Sequence, residues 1–118
     1  MPSLPHDHGH TPMLSRMPAN DDFSRMAELF KHLSDPTRVR IFWILCHCEE
    51  CVINLSAMME MSSPAVSHHL KQLRAAGLIT SRREGKEVYY KAADGTQARL
   101  LHNMIEEVAA ITCPATQG

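Results

Sequence analysis

No run of apolar residues approaches the ~20 consecutive positions that a membrane-spanning helix requires, although apolar types make up 44% of the chain. Those residues therefore belong to a globular core, and with charged types at 21% the composition also excludes wholesale disorder. No secretory leader is expected either. Where its basic flank and apolar stretch would stand, the N-terminus carries Pro2, His6, Asp7, His8 and His10, so a cytoplasmic location is expected. The chain has no Gly-rich phosphate loop, no nucleophile elbow and no His-Glu-x-x-His motif, and nothing in it points to an enzyme. His47 stands between Cys46 and Cys48, but neighbours on a helix point about 100° apart and cannot form a Cys–His dyad. At 118 residues and 13.3 kDa there is room for one small domain, which buries only about two-thirds of its unfolded surface. Self-association is expected from that size.

A large net charge is also absent: the balance is −1 with histidines neutral. Its distribution is uneven. Residues 68–91 hold Lys71, Arg74, Arg82, Arg83, Lys86 and Lys91 against Glu84 and Glu87, a local excess of +4 that leaves −5 elsewhere. Concentrated positive charge is the electrostatic footprint of phosphate binding, and equally of a solvated surface. Four cysteines would suggest two disulfides in a secreted mini-protein, but this chain is expected to lack a signal and can build a core. Cys46, Cys48 and Cys51 fall within six residues, which in a reducing compartment points to metal or redox chemistry; Cys113 stands alone and reads as a small apolar residue.

Three segments follow from the pattern: a mobile His-rich arm over 1–20, a folded domain over 21–113 and a tail over 114–118. Phe23, Met26, Ala27, Phe30 and Leu33 repeat at helical spacing. Asp35-Pro36 is an N-cap followed by proline, opening a helix that reaches Cys46 or His47 with Val39, Ile41, Phe42 and Leu45 inward. A short helix over 54–60 and a second one, opened by Ser62-Ser63-Pro64 and closed before Gly77, stand about three residues apart as a helix-turn-helix. Residues 78–81 and 87–91 are β-prone runs flanking Arg82-Arg83-Glu84-Gly85-Lys86, a hairpin with a basic tip. A last helix aligns Leu101, Met104, Ile105, Val108 and Thr112 in a stripe longer than a small core requires, which suggests a subunit contact. The expected fold is mainly α with a small β-hairpin wing.

On the 63–76 helix, Val66, Leu70 and Leu73 share an inward face, the opposite face presents Pro64, Ser67, His68, Lys71 and Ala75, and Ser63 at the helix start joins the expected DNA contacts. Short polar side chains near an exposed helix N-terminus suit the major groove, where base edges and phosphates are both within reach. Lys71 and Arg74 are placed to neutralise phosphates, and Arg82, Arg83 and Lys86 to meet the backbone or minor groove as a wing. The expected partner is double-stranded DNA.

The residues Leu29-Phe30-Lys31-His32-Leu33-Ser34-Asp35-Pro36-Thr37-Arg38, the stretch Ser62 to Lys71, Ala76-Gly77-Leu78-Ile79 and the wing Gly85-Lys86-Glu87-Val88-Tyr89-Tyr90 resemble the ArsR/SmtB family of winged helix-turn-helix metal-sensing repressors. The resemblance covers residues 22 to about 112. It implies a homodimer formed by the first and last helices, bound to operator DNA and released by a metal ion or another inducer.

The family's metal box, Glu-Leu-Cys-Val-x-Asp-Leu, is matched by Glu49-Glu50-Cys51-Val52-Ile53-Asn54-Leu55. Cys51 is kept, Asn54 stands for the acidic ligand, and Ile53 for the second thiolate of cadmium and lead sensors. Cys48 and Cys51 make a C-x-x-C pair with Cys46 beside it, and the resemblance implies that His6, His8 and His10 are available, because in related sensors the arm reaches this region of the partner subunit. Thiolate-rich ligands favour soft or borderline transition-metal ions, Zn(II) or Cd(II) first. The family's second site, on the last helix, is matched only at Asp94, with Thr96, Glu107 and Ala110 at its other positions; His102 and Glu106 at i, i+4, with Cys113, make a second candidate. Two other functions remain open: a thiol-redox or persulfide-sensing repressor of the same fold, and a metal-binding carrier without DNA binding.

Overall fold

Six helices and three short strands cover residues 4–113, the part of the chain that the computed structural model describes. They fall into two units divided between Lys31 and His32. The expected tail over 114–118 lies outside the described residues.

In the first unit, the stretch expected as an arm without regular structure holds one helical turn, α1 (Thr11–Leu14). The long helix α2 (Asn20–Lys31) follows, and Leu33 of the expected stripe falls beyond its end. Asp22 reaches back to accept from the Ala19 N–H at 3.1 Å, which is half of a capping box. Asp21 and Asp22 at one end and Lys31 at the other complement the helix dipole. No residue of α2 is buried, and Phe23, Met26 and Phe30 stand well exposed along one stripe.

The second unit starts at an N-cap. Asp35 accepts from the Arg38 N–H at 3.0 Å and Pro36 occupies the first position of α3 (Pro36–His47). That bond chiefly holds the Asp35 carboxyl below its ordinary value of 3.8, against a smaller upward push from desolvation. A lowered folded value means the cap stabilises fully above about 3.8 and is lost as pH falls through the folded value. Asp35→Ala is expected to cost about 1 kcal/mol at neutral pH. In urea unfolding the gap between variant and parent should close in acid; a gap constant with pH would place the effect elsewhere than the cap.

After α3 the chain forms β1 (Glu50–Cys51), which pairs antiparallel with the wing and which no periodicity announced. Cys51 then stands at the N-cap position of α4 (Val52–Met59), without a side-chain bond, and that helix begins two residues before the expected start. Glu60 adopts φ 54, and Met61 N–H donates to the Ser56 carbonyl at 3.0 Å, a left-handed helix stop made without glycine. Ser62 caps α5 (Ser63–Ala75) through the Ala65 N–H, and Gly77 at φ 76 turns the chain into β2 (Ile79–Glu84). The hairpin to β3 (Glu87–Ala92) closes through Gly85 and Lys86 alone, with Gly85 at φ 64. Arg82 and Arg83, expected in a five-residue tip, are therefore strand residues. The sheet order is β1-β3-β2. The last helix, α6 (Thr96–Thr112), packs on α3.

The core joins Ile41, Phe42 and Leu45 of α3 to Leu55 of α4, Val66, Leu70 and Leu73 of α5, Leu78 and Ile79 at the start of the wing, and Leu101 of α6. Its effect is to hold α4 and α5 at a fixed angle with the hairpin beside them.

Candidate nucleic-acid interface and ligand cleft

The α5 side chains divide as their spacing demands. Val66, Leu70 and Leu73 are at most 1% exposed, whereas Ser63, Pro64, Ser67, His68, Lys71 and Arg74 are exposed. Ser63 is partly engaged, since its hydroxyl lies 3.1 Å from that of buried Ser56 and ties α5 to α4. His68 accepts from the Gln72 amide at 3.2 Å on the same face. Ser67, Lys71, Arg74 and Tyr90 line a concavity of about 430 Å³ between α5 and the wing strand β3. Two hydroxyls, an ammonium and a guanidinium around a groove offer two donor–acceptors and two cations to a polyanion.

The wing cations differ among themselves. Lys86 occupies the turn and Arg83 is exposed, its Nε donating to the Gly85 carbonyl at 3.2 Å. Arg82, expected to meet phosphate, is exposed but already paired with carboxylates of its own chain. It donates from Nε and Nη2 to Glu49 (3.0 and 2.6 Å) and from Nη1 to Glu84 (2.5 Å), with its guanidinium 4.9 Å from the Tyr89 ring centre. The bonds from Arg82 hold the Glu49 carboxyl below its ordinary range. Arg82 thus fastens the wing to the loop after α3.

None of the four cysteines is in a disulfide: Cys46 is half-buried, Cys48 and Cys113 are exposed and Cys51 is buried. Burial, with the Glu106 carboxylate adding to it, pushes the Cys46 thiol up to about 11, far from the thiolate form at neutral pH. Among the described residues no cysteine belongs to a group of three donors close enough to share an ion. His6, His8 and His10 follow one another in the first unit with ring centres 6.3 and 6.4 Å apart.

The group that does converge is His47, His102 and Glu106, whose donor atoms all lie within 4.8 Å of one another. His102 and Glu106 were legible as an i, i+4 pair, but their third member is His47, not Asp94 or Cys113. Glu106 Oε1 lies 3.1 Å from His102 Nε2 and 3.4 Å from His47 Nε2, and accepts from Trp43 Nε1 at 3.1 Å. Partial desolvation raises the Glu106 pKa, yet the bonds from Trp43, His102 and His47 outweigh it and leave it lowered. Both imidazoles line a cleft of about 350 Å³ together with Cys46, Cys48 and Asp94. His47 was missed because only the packing of α3 on α6 brings it to this pair.

Two helices joined by a three-residue turn, the second with a polar outer face, and a basic hairpin beside it define a winged helix-turn-helix protein. Residues 35–81 match the family described as bacterial regulatory protein, arsR family. Over 89 residues the chain is 43% identical to the transcriptional repressor SmtB homolog of Synechocystis, covering 75% of this chain and 64% of that protein. It is 39% identical over 90 residues to a cadmium resistance transcriptional regulatory protein CadC homolog of Staphylococcus aureus, covering 73% of this chain and 74% of the relative. Among solved structures, HlyU from Vibrio cholerae superposes with a TM-score of 0.68 at 29% identity, over 80% of this chain and 99% of that one. The chain belongs to the ArsR family, whose members are transcriptional regulators and not enzymes.

Proposed function

We propose that the protein is a repressor that binds operator DNA as a homodimer and is released by a soft or borderline transition-metal ion of the Zn(II) or Cd(II) type. The observation that carries DNA binding is α5, which buries Val66, Leu70 and Leu73 and turns Ser67, His68, Lys71 and Arg74 outward beside a basic hairpin. The metal reading is supported by the cadmium-resistance relative and by a converging His-His-Glu group. Self-association is supported by the exposed stripe of α2 and by Leu100, Val108 and Ile111, which α6 leaves exposed. Next to Val108 an apolar groove of about 280 Å³, lined by Leu33, Val39, Met104 and Ile105, gives a second copy a surface to fill.

The test is fluorescence anisotropy with a duplex from upstream of the protein's own coding region and with a random duplex, across a salt series. Tight binding of the first, release by added Zn(II) or Cd(II), and no release by oxidant in the presence of chelator are expected. Release by oxidant alone would make the protein a thiol-redox repressor, and binding of neither duplex would make it a metal carrier.

The wing separates positioning from reading. Arg83→Gln and Lys86→Gln should weaken both duplexes alike and lower the slope of log K against log salt by about one unit per lost phosphate contact. Arg82→Gln should act differently, because its charge is already matched by Glu49 and Glu84. Its effect should show in faster amide exchange along β2 and β3. An Arg82→Gln variant with normal exchange and a reduced salt slope would make Arg82 a direct phosphate ligand.

A further inference from the structure

We propose that His47, His102 and Glu106 form a metal-ion site within one chain, taking a borderline divalent ion such as Zn(II) or Cd(II) between the last turn of α3 and the middle of α6. This rests on the reading of the protein as metal-responsive and moves its ligands away from the cysteine cluster and the N-terminal histidines.

The spacing fits. Metal–ligand bonds of about 2.0–2.1 Å in a four-coordinate site put neighbouring donors about 3.3 Å apart. Glu106 Oε1 stands 3.1 Å from one imidazole nitrogen and 3.4 Å from the other. The donor set fits as well: two imidazoles and a carboxylate suit a borderline ion and leave a fourth position open to water or another ligand. Both imidazoles border the cleft of about 350 Å³, which gives that position access.

The hydrogen-bond arithmetic points the same way. Three nitrogens, those of Trp43, His47 and His102, converge on one carboxylate oxygen. That oxygen has two lone pairs. A cation held by both imidazoles and the oxygen takes the place of the two imidazole contacts and leaves the second lone pair to Trp43. Trp43 then acts as a positioning residue, orienting Glu106 through its indole N–H and standing 4.2 Å from the His47 ring, centre to centre. The surroundings of the group also link it to the wing, because His47 precedes by two residues the Glu49 carboxylate that holds Arg82.

The experiment uses the full chain, reduced and stripped by chelator, titrated with Zn(II) alone and with Cd(II) alone by calorimetry, and with Co(II) to read coordination from its visible spectrum. One ion per chain is expected. His47→Gln and His102→Gln should each weaken binding severely and change the Co(II) spectrum, with helical circular dichroism unchanged. Trp43→Phe should weaken it by roughly 10–100-fold, as loss of an outer-shell partner does. Cys51→Ser and the combined His6→Ala, His8→Ala, His10→Ala variant should bind as the parent does. Binding that survives His47→Gln and His102→Gln but is lost with Cys51→Ser or the triple-histidine variant would overturn this site and leave the metal-responsive reading standing. A parent chain that binds neither Zn(II) nor Cd(II) would overturn both.

Discussion

Ser67→Ala and Lys71→Ala are each expected to weaken binding to the upstream duplex by roughly 1–3 kcal/mol, a loss of about 5- to 150-fold. Both residues border the groove between α5 and β3, one turn apart, and both are exposed. Neither substitution touches the buried Leu70 between them in the helix, so circular dichroism and thermal unfolding should match the parent. The two should differ in kind. A hydroxyl one turn into the helix meets base edges, so Ser67→Ala should reduce discrimination between the upstream and random duplexes. An ammonium meets phosphate, so Lys71→Ala should weaken both and lower the salt slope. Anisotropy titrations at several salt concentrations decide this, and unchanged affinity in both variants would remove α5 from the interface.

Phe42→Ala should have the largest effect on stability, about 3–5 kcal/mol. Phe42 is 1% exposed in the middle of α3, the helix that packs on α5, β3 and α6. Its removal leaves a cavity in the core. Against a total stability of about 5–15 kcal/mol, that loss should shift the urea midpoint strongly, and a shift of a few tenths of a kcal/mol would show that the core collapses around the gap. Phe23→Ala and Phe30→Ala offer the contrast. Both side chains are half-exposed on α2, so their loss should show in sedimentation as a weakening of the proposed dimer more than in the unfolding of one chain.

What the sequence made legible is what adjacent residues decide among themselves. Asp35-Pro36 and Ser62-Ser63-Pro64 start helices through bonds to N–H groups three residues on, so their caps could be read from a few letters. The 3.6-residue period located the buried face of α5 for the same reason. β1 has only two residues, too short for any period, and it forms because Tyr89 and Tyr90 of the wing offer it a ladder. Arg82 looked like one more basic wing residue; what occupies it is Glu49, 33 positions earlier in the chain. His102 and Glu106 were visible as neighbours on a helix face, and His47 was not, since its place beside them depends on how α3 crosses α6. The cysteine cluster carried a strong sequence signal, yet one thiol of it is buried, one is exposed and the third is half-buried.

The two-residue strand β1 has a consequence for how the chain comes together and comes apart. Its partners Tyr89 and Tyr90 lie about 40 positions further along, so pairing Glu50 with Tyr90 and Cys51 with Tyr89 shuts a loop that contains α4, α5 and the first arm of the hairpin. The Arg82–Glu49 bridge shuts nearly the same loop with side chains. Closing a loop of that length costs chain entropy before any contact inside it compensates, which makes the clasp a late event in folding. Only two ladder positions and an exposed ion pair hold it, so it is also among the first places to open. Cys51 sits inside the clasp, and the rate at which its buried thiol meets a small alkylating reagent therefore times the opening of the whole helix-turn-helix segment.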